Sequence, residues 1–145
     1  MRKRSDRESG MTLIEIMVVV IILGILATMV FTRVTGRTEQ ARRIKAVVEI
    51  RAMQNALELF RVDNGFYPST EQGIDALVAM PSTGHVALNY NEEGYLDKVP
   101  FDPWGSPYLY ISPGARGPYD LWSYGPDGEE GGEGRFADIM SWDLE

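Results

Sequence analysis

Met11-Thr12-Leu13-Ile14-Glu15-Ile16-Met17-Val18-Val19-Val20-Ile21-Ile22-Leu23-Gly24-Ile25-Leu26-Ala27-Thr28-Met29-Val30-Phe31 is the stretch on which the architecture turns. It carries one charge, Glu15, and as a helix rising about 1.5 Å per residue it reaches roughly 30 Å, the thickness of a bilayer's hydrocarbon core. Upstream, Arg2, Lys3, Arg4 and Arg7 outnumber Asp6 and Glu8, so the first ten residues carry +2 and the rest of the chain −9 out of a total of −7. A basic start before an apolar span places the N-terminus on the cytoplasmic side and the bulk of the chain across the membrane.

Three readings of this segment compete: a secretory signal, a permanent anchor, and a leader cut on the cytoplasmic side of the apolar run. A secretory signal has a shorter apolar core followed by a small-residue cleavage site. Here no such site follows Phe31, and the small residue, Gly10, comes before the run. Glu15 adds a second constraint, because a carboxylate within an apolar span costs on the order of 2–4 kcal/mol unless something pairs it. Either it stays hydrated near the interface, or it forms a charge pair with another molecule.

Gly10-Met11-Thr12-Leu13-Ile14-Glu15 followed by an unbroken apolar helix resembles the processing motif of type IV pilins and pseudopilins. The resemblance implies that a prepilin peptidase cuts between Gly10 and Met11 and N-methylates Met11, which stands where the family usually has phenylalanine. The new amine of one subunit would then neutralise Glu15 of its neighbour. Such a pair adds little net stability, but losing one partner strands a charge at a cost of roughly 3–5 kcal/mol, so Glu15 acts as a register device.

From about Thr38 to Gly65 the pattern stays helical and carries two apolar stripes. Ala41, Ile44, Val48, Ala52, Leu59 and Val62 follow three- and four-residue steps on one face. Ala46, Ile50, Met53, Leu57 and Phe60 do so on the roughly opposite face. One stripe is expected to pack on the chain's own C-terminal part, while the other is covered by a loop or by neighbouring subunits. Glu39 with Arg43 and Lys45 with Glu49 are spaced as i,i+4 pairs. Gly24 and Gly36 are the weak points of the helix, and Val30 to Gly36 contains no proline.

Beyond Asp63-Asn64-Gly65, Ser69 and Gln72 are spaced as a capping box before a short helix with Ile74, Leu77 and Val78 on its apolar face. Phe101 to Gly105 reads as a turn, and Pro107–Ile111, Tyr119–Tyr124 and Ala137–Trp142 read as strands. The expected fold class is α+β: a long N-terminal helix packed on a small C-terminal antiparallel β-sheet domain. The chain divides into a leader (1–10), a transmembrane segment (11–31), a periplasmic continuation of the helix (32–64) and a globular domain (65–145).

Composition narrows the function classes. With no cysteine, disulfides, thiolate metal sites and thiol nucleophiles are unavailable. An acidic chain without a basic stripe is a poor nucleic-acid binder. The single histidine, His85, lies in a loop-like stretch with no nucleophile or metal-ligand spacing around it, which argues against an enzyme.

The blocks Tyr67-Pro68-Ser69-Thr70-Glu71-Gln72-Gly73, Asp102-Pro103-Trp104-Gly105-Ser106-Pro107-Tyr108, Gly117-Pro118-Tyr119-Asp120-Leu121-Trp122-Ser123 and Ala137-Asp138-Ile139 with Trp142 are similar, in this order, to the major-pseudopilin family of type II secretion. The resemblance covers nearly the whole chain. It implies a type IV pilin-like subunit that forms a helical homo-oligomeric filament in the periplasm and drives export of folded proteins across the outer membrane. Minor pseudopilins, an inner-membrane assembly platform and an ATPase are the implied partners.

The resemblance also implies a calcium ion in the loop Tyr124 to Asp138. A glycine-rich acidic loop suits calcium, which takes six to eight oxygens including backbone carbonyls, although a solvated acidic loop has the same composition. Carried over by position, Asp127 is a side-chain ligand and Tyr124 offers a carbonyl. Gly134, Arg135 and Phe136 stand where the family has a second acidic cluster, leaving Glu133 or Asp138 as substitutes and the carbonyls of 132–135 to complete the shell. The competing function is a single-span, membrane-anchored, calcium-dependent binding module, which needs no cleavage at Gly10.

Overall fold

Met11 and Thr12 lead into a single helix, α1, that runs Leu13–Asn64, and the computed structural model describes residues 11–144, with the backbone alone for 29–35. Three strands follow, β1 (Leu109–Ile111), β2 (Asp120–Ser123) and β3 (Ile139–Met140), with short 3₁₀ turns at Ile74–Leu77, Gly134–Phe136 and Ser141–Asp143. The helix begins where the backbone N–H of Glu15 is shared between the carbonyl of Thr12 at 3.1 Å and its Oγ1 at 3.4 Å. It ends at Gly65, whose left-handed backbone (φ 85) lets its N–H reach the carbonyl of Arg61 at 2.7 Å. Gly24 and Gly36 both lie within the helix.

The described chain falls into two compact units, one ending at Thr38 and the other beginning at Glu39. In the first, the large apolar side chains from Leu13 to Leu26 are all exposed, Leu13 at 80%. Within the second, Ala46, Ile50, Met53, Leu57 and Phe60 are wholly buried among Leu77, Tyr108, Leu121 and Ile139. Each large apolar side chain removed from water in this way contributes about 1.5–3 kcal/mol. Phe60 is the aromatic hub, with Phe66, Tyr90 and Tyr95 at 5.6, 6.2 and 5.4 Å between ring centroids.

The sheet is antiparallel in the order β1-β2-β3, with Leu109 opposite Trp122 and Ser123 opposite Ile139. Leu121 and Ser123, two apart on β2, are both completely buried. The strands are shorter than the sequence suggests. β3 stops at Met140 because Ser141 turns into a 3₁₀ segment, and the Ser141 hydroxyl instead accepts the N–H of Leu121 at 3.2 Å.

Two local expectations are corrected. Ser69 and Gln72 do exchange reciprocal bonds, Ser69 N–H to Gln72 Oε1 at 3.0 Å and Gln72 N–H to Ser69 Oγ at 3.2 Å. They close a turn, however, and the 3₁₀ segment after it starts from Gly73. Glu39 and Arg43 do not pair. Glu39 sits 3.8 Å from Arg42 and accepts the indole N–H of Trp104 at 2.8 Å, while Arg43 turns to backbone carbonyls. Lys45 and Glu49 approach to 3.5 Å as expected.

Candidate functional site

The features that bear on assembly lie along α1. Gly10, the expected cleavage residue, lies outside the described residues, whereas Met11 is described and exposed. Glu15 is exposed three residues into the helix, where the positive end of the helix dipole favours a carboxylate. Thr12 is a helix-start residue that the sequence reading did not single out, although Thr-x-x-Glu ahead of an apolar run is the signal that finds it. Among the described residues no helix is long and apolar enough to cross a membrane.

Further along, the two apolar stripes have opposite fates. The stripe containing Ile50 and Phe60 is the core of its own unit, and the other is bare: Ile44, Val48, Leu59 and Val62 are between 57% and 69% exposed. Among the described residues no loop covers it. Burying four such side chains is worth several kcal/mol to whatever they meet.

The acidic loop is built from β2 outward. Tyr124 is half-buried, its ring edge-on to Trp122 at 6.2 Å. Asp127 is exposed, and its Oδ1 accepts the N–H of Glu129 at 3.3 Å. Glu133 is exposed, and its carbonyl accepts the N–H of Phe136 at 3.1 Å. Asp138 closes the loop: its Oδ2 accepts the N–H of Gly131 at 2.9 Å and its own N–H returns to the carbonyl of Gly131 at 3.3 Å. Its other oxygen, Oδ1, is buried with no hydrogen-bond partner. Among the described residues no three acidic or histidine side chains gather as a metal would need, so Asp127, Glu133 and Asp138 are not brought together by their side chains alone.

Two observations still fit a cation in this loop. A buried, unpartnered carboxylate oxygen costs on the order of 1–3 kcal/mol or more, and a bound cation would remove that cost. Gly132, in the left-handed region (φ 83), lies so close to the carbonyl of Phe136 that a Cβ would come within 2.5 Å of that oxygen. The backbone there is wrapped too tightly to admit a side chain, and glycine lets a calcium loop turn that closely.

Buried hydroxyls elsewhere in the unit hold the head to α1 or to itself. Tyr108 donates to Glu49 Oε2 at 2.7 Å, and burial, then Glu49, pushes its ionisation far up. Tyr110 donates to the carbonyl of Pro68 at 2.8 Å, and burial raises it to about 12. Glu58 is held below the usual carboxylate range by the hydroxyl of Tyr67 and then by Arg61. His85 is an exposed loop residue whose ring meets Phe66 edge-on at 4.4 Å.

Two family profiles match: the one described as type II secretion system (T2SS), protein G, over residues 33–142, and the prokaryotic N-terminal methylation motif over residues 5–31. The type II secretion system core protein G of Pseudomonas aeruginosa is 52% identical over 137 residues, covering 94% of this chain and 96% of that protein. Its counterpart from Vibrio cholerae is 48% identical over 143 residues, covering 99% and 97%. Among solved structures, the major pseudopilin of the type 2 secretion system of enterohaemorrhagic Escherichia coli superposes with a TM-score of 0.65 at 38% identity, over 74% of this chain and 92% of that one. A long helix with one buried and one bare stripe, an N-terminal methylation motif and full-length identity to these relatives agree: the chain belongs to the type II secretion system protein G family.

Proposed function

We propose that the chain is the major structural subunit of a type II secretion pseudopilus, cut after Gly10, N-methylated at Met11, and stacked through α1 into a periplasmic filament that drives export of folded proteins. The observation that carries this reading is the helix itself. Its apolar side chains from Leu13 to Leu26 and its Ile44–Val62 stripe are exposed, although one stripe already serves the chain's own core. A helix that is apolar all round needs lipid or other helices about it. The apolar run to Phe31 supplies the span, with the leader in the cytoplasm and the unit from Glu39 in the periplasm. Glu15 sets the register against a neighbour's amine. Prepilin peptidase, minor pseudopilins and an inner-membrane platform are the partners this role requires. The names of the relatives give no support to an anchored binding module.

The same reading places a calcium ion in the loop of residues 124–138. Asp127 and the buried Oδ1 of Asp138 would hold it, with the carbonyl of Tyr124 and carbonyls of the 132–135 stretch, and Glu133 as a further carboxylate. Bound there, the cation would neutralise the acidic loop and tie its two ends together.

Intact mass and N-terminal sequence of the membrane-extracted protein, with and without prepilin peptidase, test the assignment. A start at N-methyl-Met11 only in the presence of the peptidase supports it. A chain that still begins at Met1, or a cut after Phe31, removes the amine that Glu15 is meant to pair with and sinks the proposal.

A further inference from the structure

Arg43 lies on the half-buried side of α1, and its Nη1 donates to the carbonyl of Ala137 at 2.6 Å and to that of Arg135 at 3.3 Å, more than ninety residues further along the chain. These carbonyls belong to the exit of the acidic loop. The peptide whose oxygen Arg43 grips most closely is the one that leads into Asp138, the residue with a buried, unpartnered Oδ1. Gly131 holds that carboxylate from the other side, through Oδ2 at 2.9 Å. Asp138 is therefore fixed at its backbone by the helix and at its carboxylate by the loop.

We propose that Arg43 is the positioning residue of the cation loop: it anchors the loop's exit to the part of α1 beyond Glu39 and so aims Asp138 Oδ1 at the cation. The inference rests on the calcium reading given above and deepens it. Guanidinium suits the task, because the two hydrogens of Nη1 lie in one fixed plane, can serve both carbonyls at once, and belong to a group that stays charged at every working pH. Lysine would offer a point charge on a flexible stem. Arg43 makes no pair with Glu39, which is committed to Arg42 and Trp104, and spends its guanidinium on the loop instead. Groups that orient a ligand without touching the metal commonly change affinity about ten- to a hundredfold when removed.

Two neighbours on the helix provide an internal control. Arg51 donates to the carbonyl of Leu144 at 2.8 Å and Gln54 to that of Ser141 at 3.4 Å, the same chemistry applied to the C-terminal segment beyond the loop. A merely structural strap would treat Arg43 and Arg51 alike. A positioning residue would not.

The test uses the full processed chain in detergent micelles, with calcium affinity from titration calorimetry and melting followed in calcium and after chelation. Arg43→Gln is expected to weaken calcium binding about tenfold and to shrink the calcium-dependent rise in Tm, whereas Arg51→Gln lowers Tm equally in both conditions and leaves the affinity within about twofold. Arg43→Lys should fall between Arg43→Gln and the unaltered chain. An unchanged affinity in Arg43→Gln, or an equal loss in Arg51→Gln, overturns the proposal. Should Arg43→Gln not fold, an Arg43→Lys affinity equal to that of the unaltered chain overturns it by itself. If the unaltered chain binds no calcium, the calcium reading falls and takes this inference with it. Intact binding with an indifferent Arg43 removes the inference alone.

Discussion

Ser123 on β2 donates its hydroxyl proton to Oδ2 of Asp102 at 2.6 Å, inside a site where both side chains are buried. Asp102 also accepts the N–H groups of Trp104 at 3.1 Å and Ser106 at 2.8 Å through Oδ1, and Ser123 Oγ accepts the N–H of Gly125 at 3.0 Å. One carboxylate thus ties the turn of residues 102–106 to the sheet and to the start of the acidic loop. Asp102→Ala leaves three donors without an acceptor and is expected to cost about 2–4 kcal/mol of unfolding free energy, read as a lower denaturation midpoint with an unchanged slope. A loss below about 0.5 kcal/mol, the range of ordinary surface changes, would show that water replaces the carboxylate.

The two stripes of α1 separate folding from assembly. Phe60→Ala empties a wholly buried ring site and should cost about 3–5 kcal/mol in the isolated subunit. Val48→Lys and Leu59→Lys, at positions 60% and 57% exposed, should leave subunit stability within about 0.5 kcal/mol and abolish filaments. Chemical denaturation and electron microscopy of overproduced filaments read the two effects separately. Normal filaments from the double variant would show that this stripe meets no neighbour.

Glu15→Gln is expected to permit cleavage after Gly10 and normal folding while reducing filament formation strongly, because the neighbour's amine is left unpaired at roughly 3–5 kcal/mol. Thr12→Ala, which removes the hydroxyl contact but leaves the Glu15 N–H its bond to the Thr12 carbonyl, should cost the helix start about 0.5 kcal/mol and assembly far less. Mass spectrometry and filament yield together distinguish these cases. Equal yields from both variants would leave the Glu15 carboxylate no role in register.

Alkaline pH should unfold the head through its buried tyrosines. Burial raises both Tyr110 and Tyr119 from the ordinary 10.0 to about 12. A group whose ionisation is raised on folding stabilises the fold fully below its unfolded value, and that contribution disappears as pH climbs through the folded one. Stability is therefore expected to be level up to about pH 10 and to fall between about 10 and 12, with Tyr119→Phe removing part of the slope. Urea midpoints across that range, set beside tyrosinate absorbance, provide the check. A flat profile to about pH 12 would place these hydroxyls in contact with water.

Much of the architecture was local and so legible in the chain itself. Periodicity from Ala41 to Val62 reveals both stripes, and the apolar run with its basic start and Gly10 motif reveals the N-terminal segment, because helix faces depend on residues three and four apart. The turn at Phe101–Gly105 and the reciprocal Ser69 and Gln72 bonds are equally short-range. Which stripe is buried was not legible, since both are apolar and only the head's Leu77, Leu121 and Ile139 select Phe60's side over Val48's. Strand ends escaped for a similar reason: β3 stops where the Ser141 hydroxyl meets Leu121 across the sheet. Arg43 is the clearest case, because spacing offered it Glu39, while the tertiary structure brought it carbonyls from residues 135 and 137. Sequence alone determined the helix, its processing motif and the family. Only the folded chain decided which face is left for neighbours and which arginine holds the loop, because those choices depend on contacts between residues far apart in sequence.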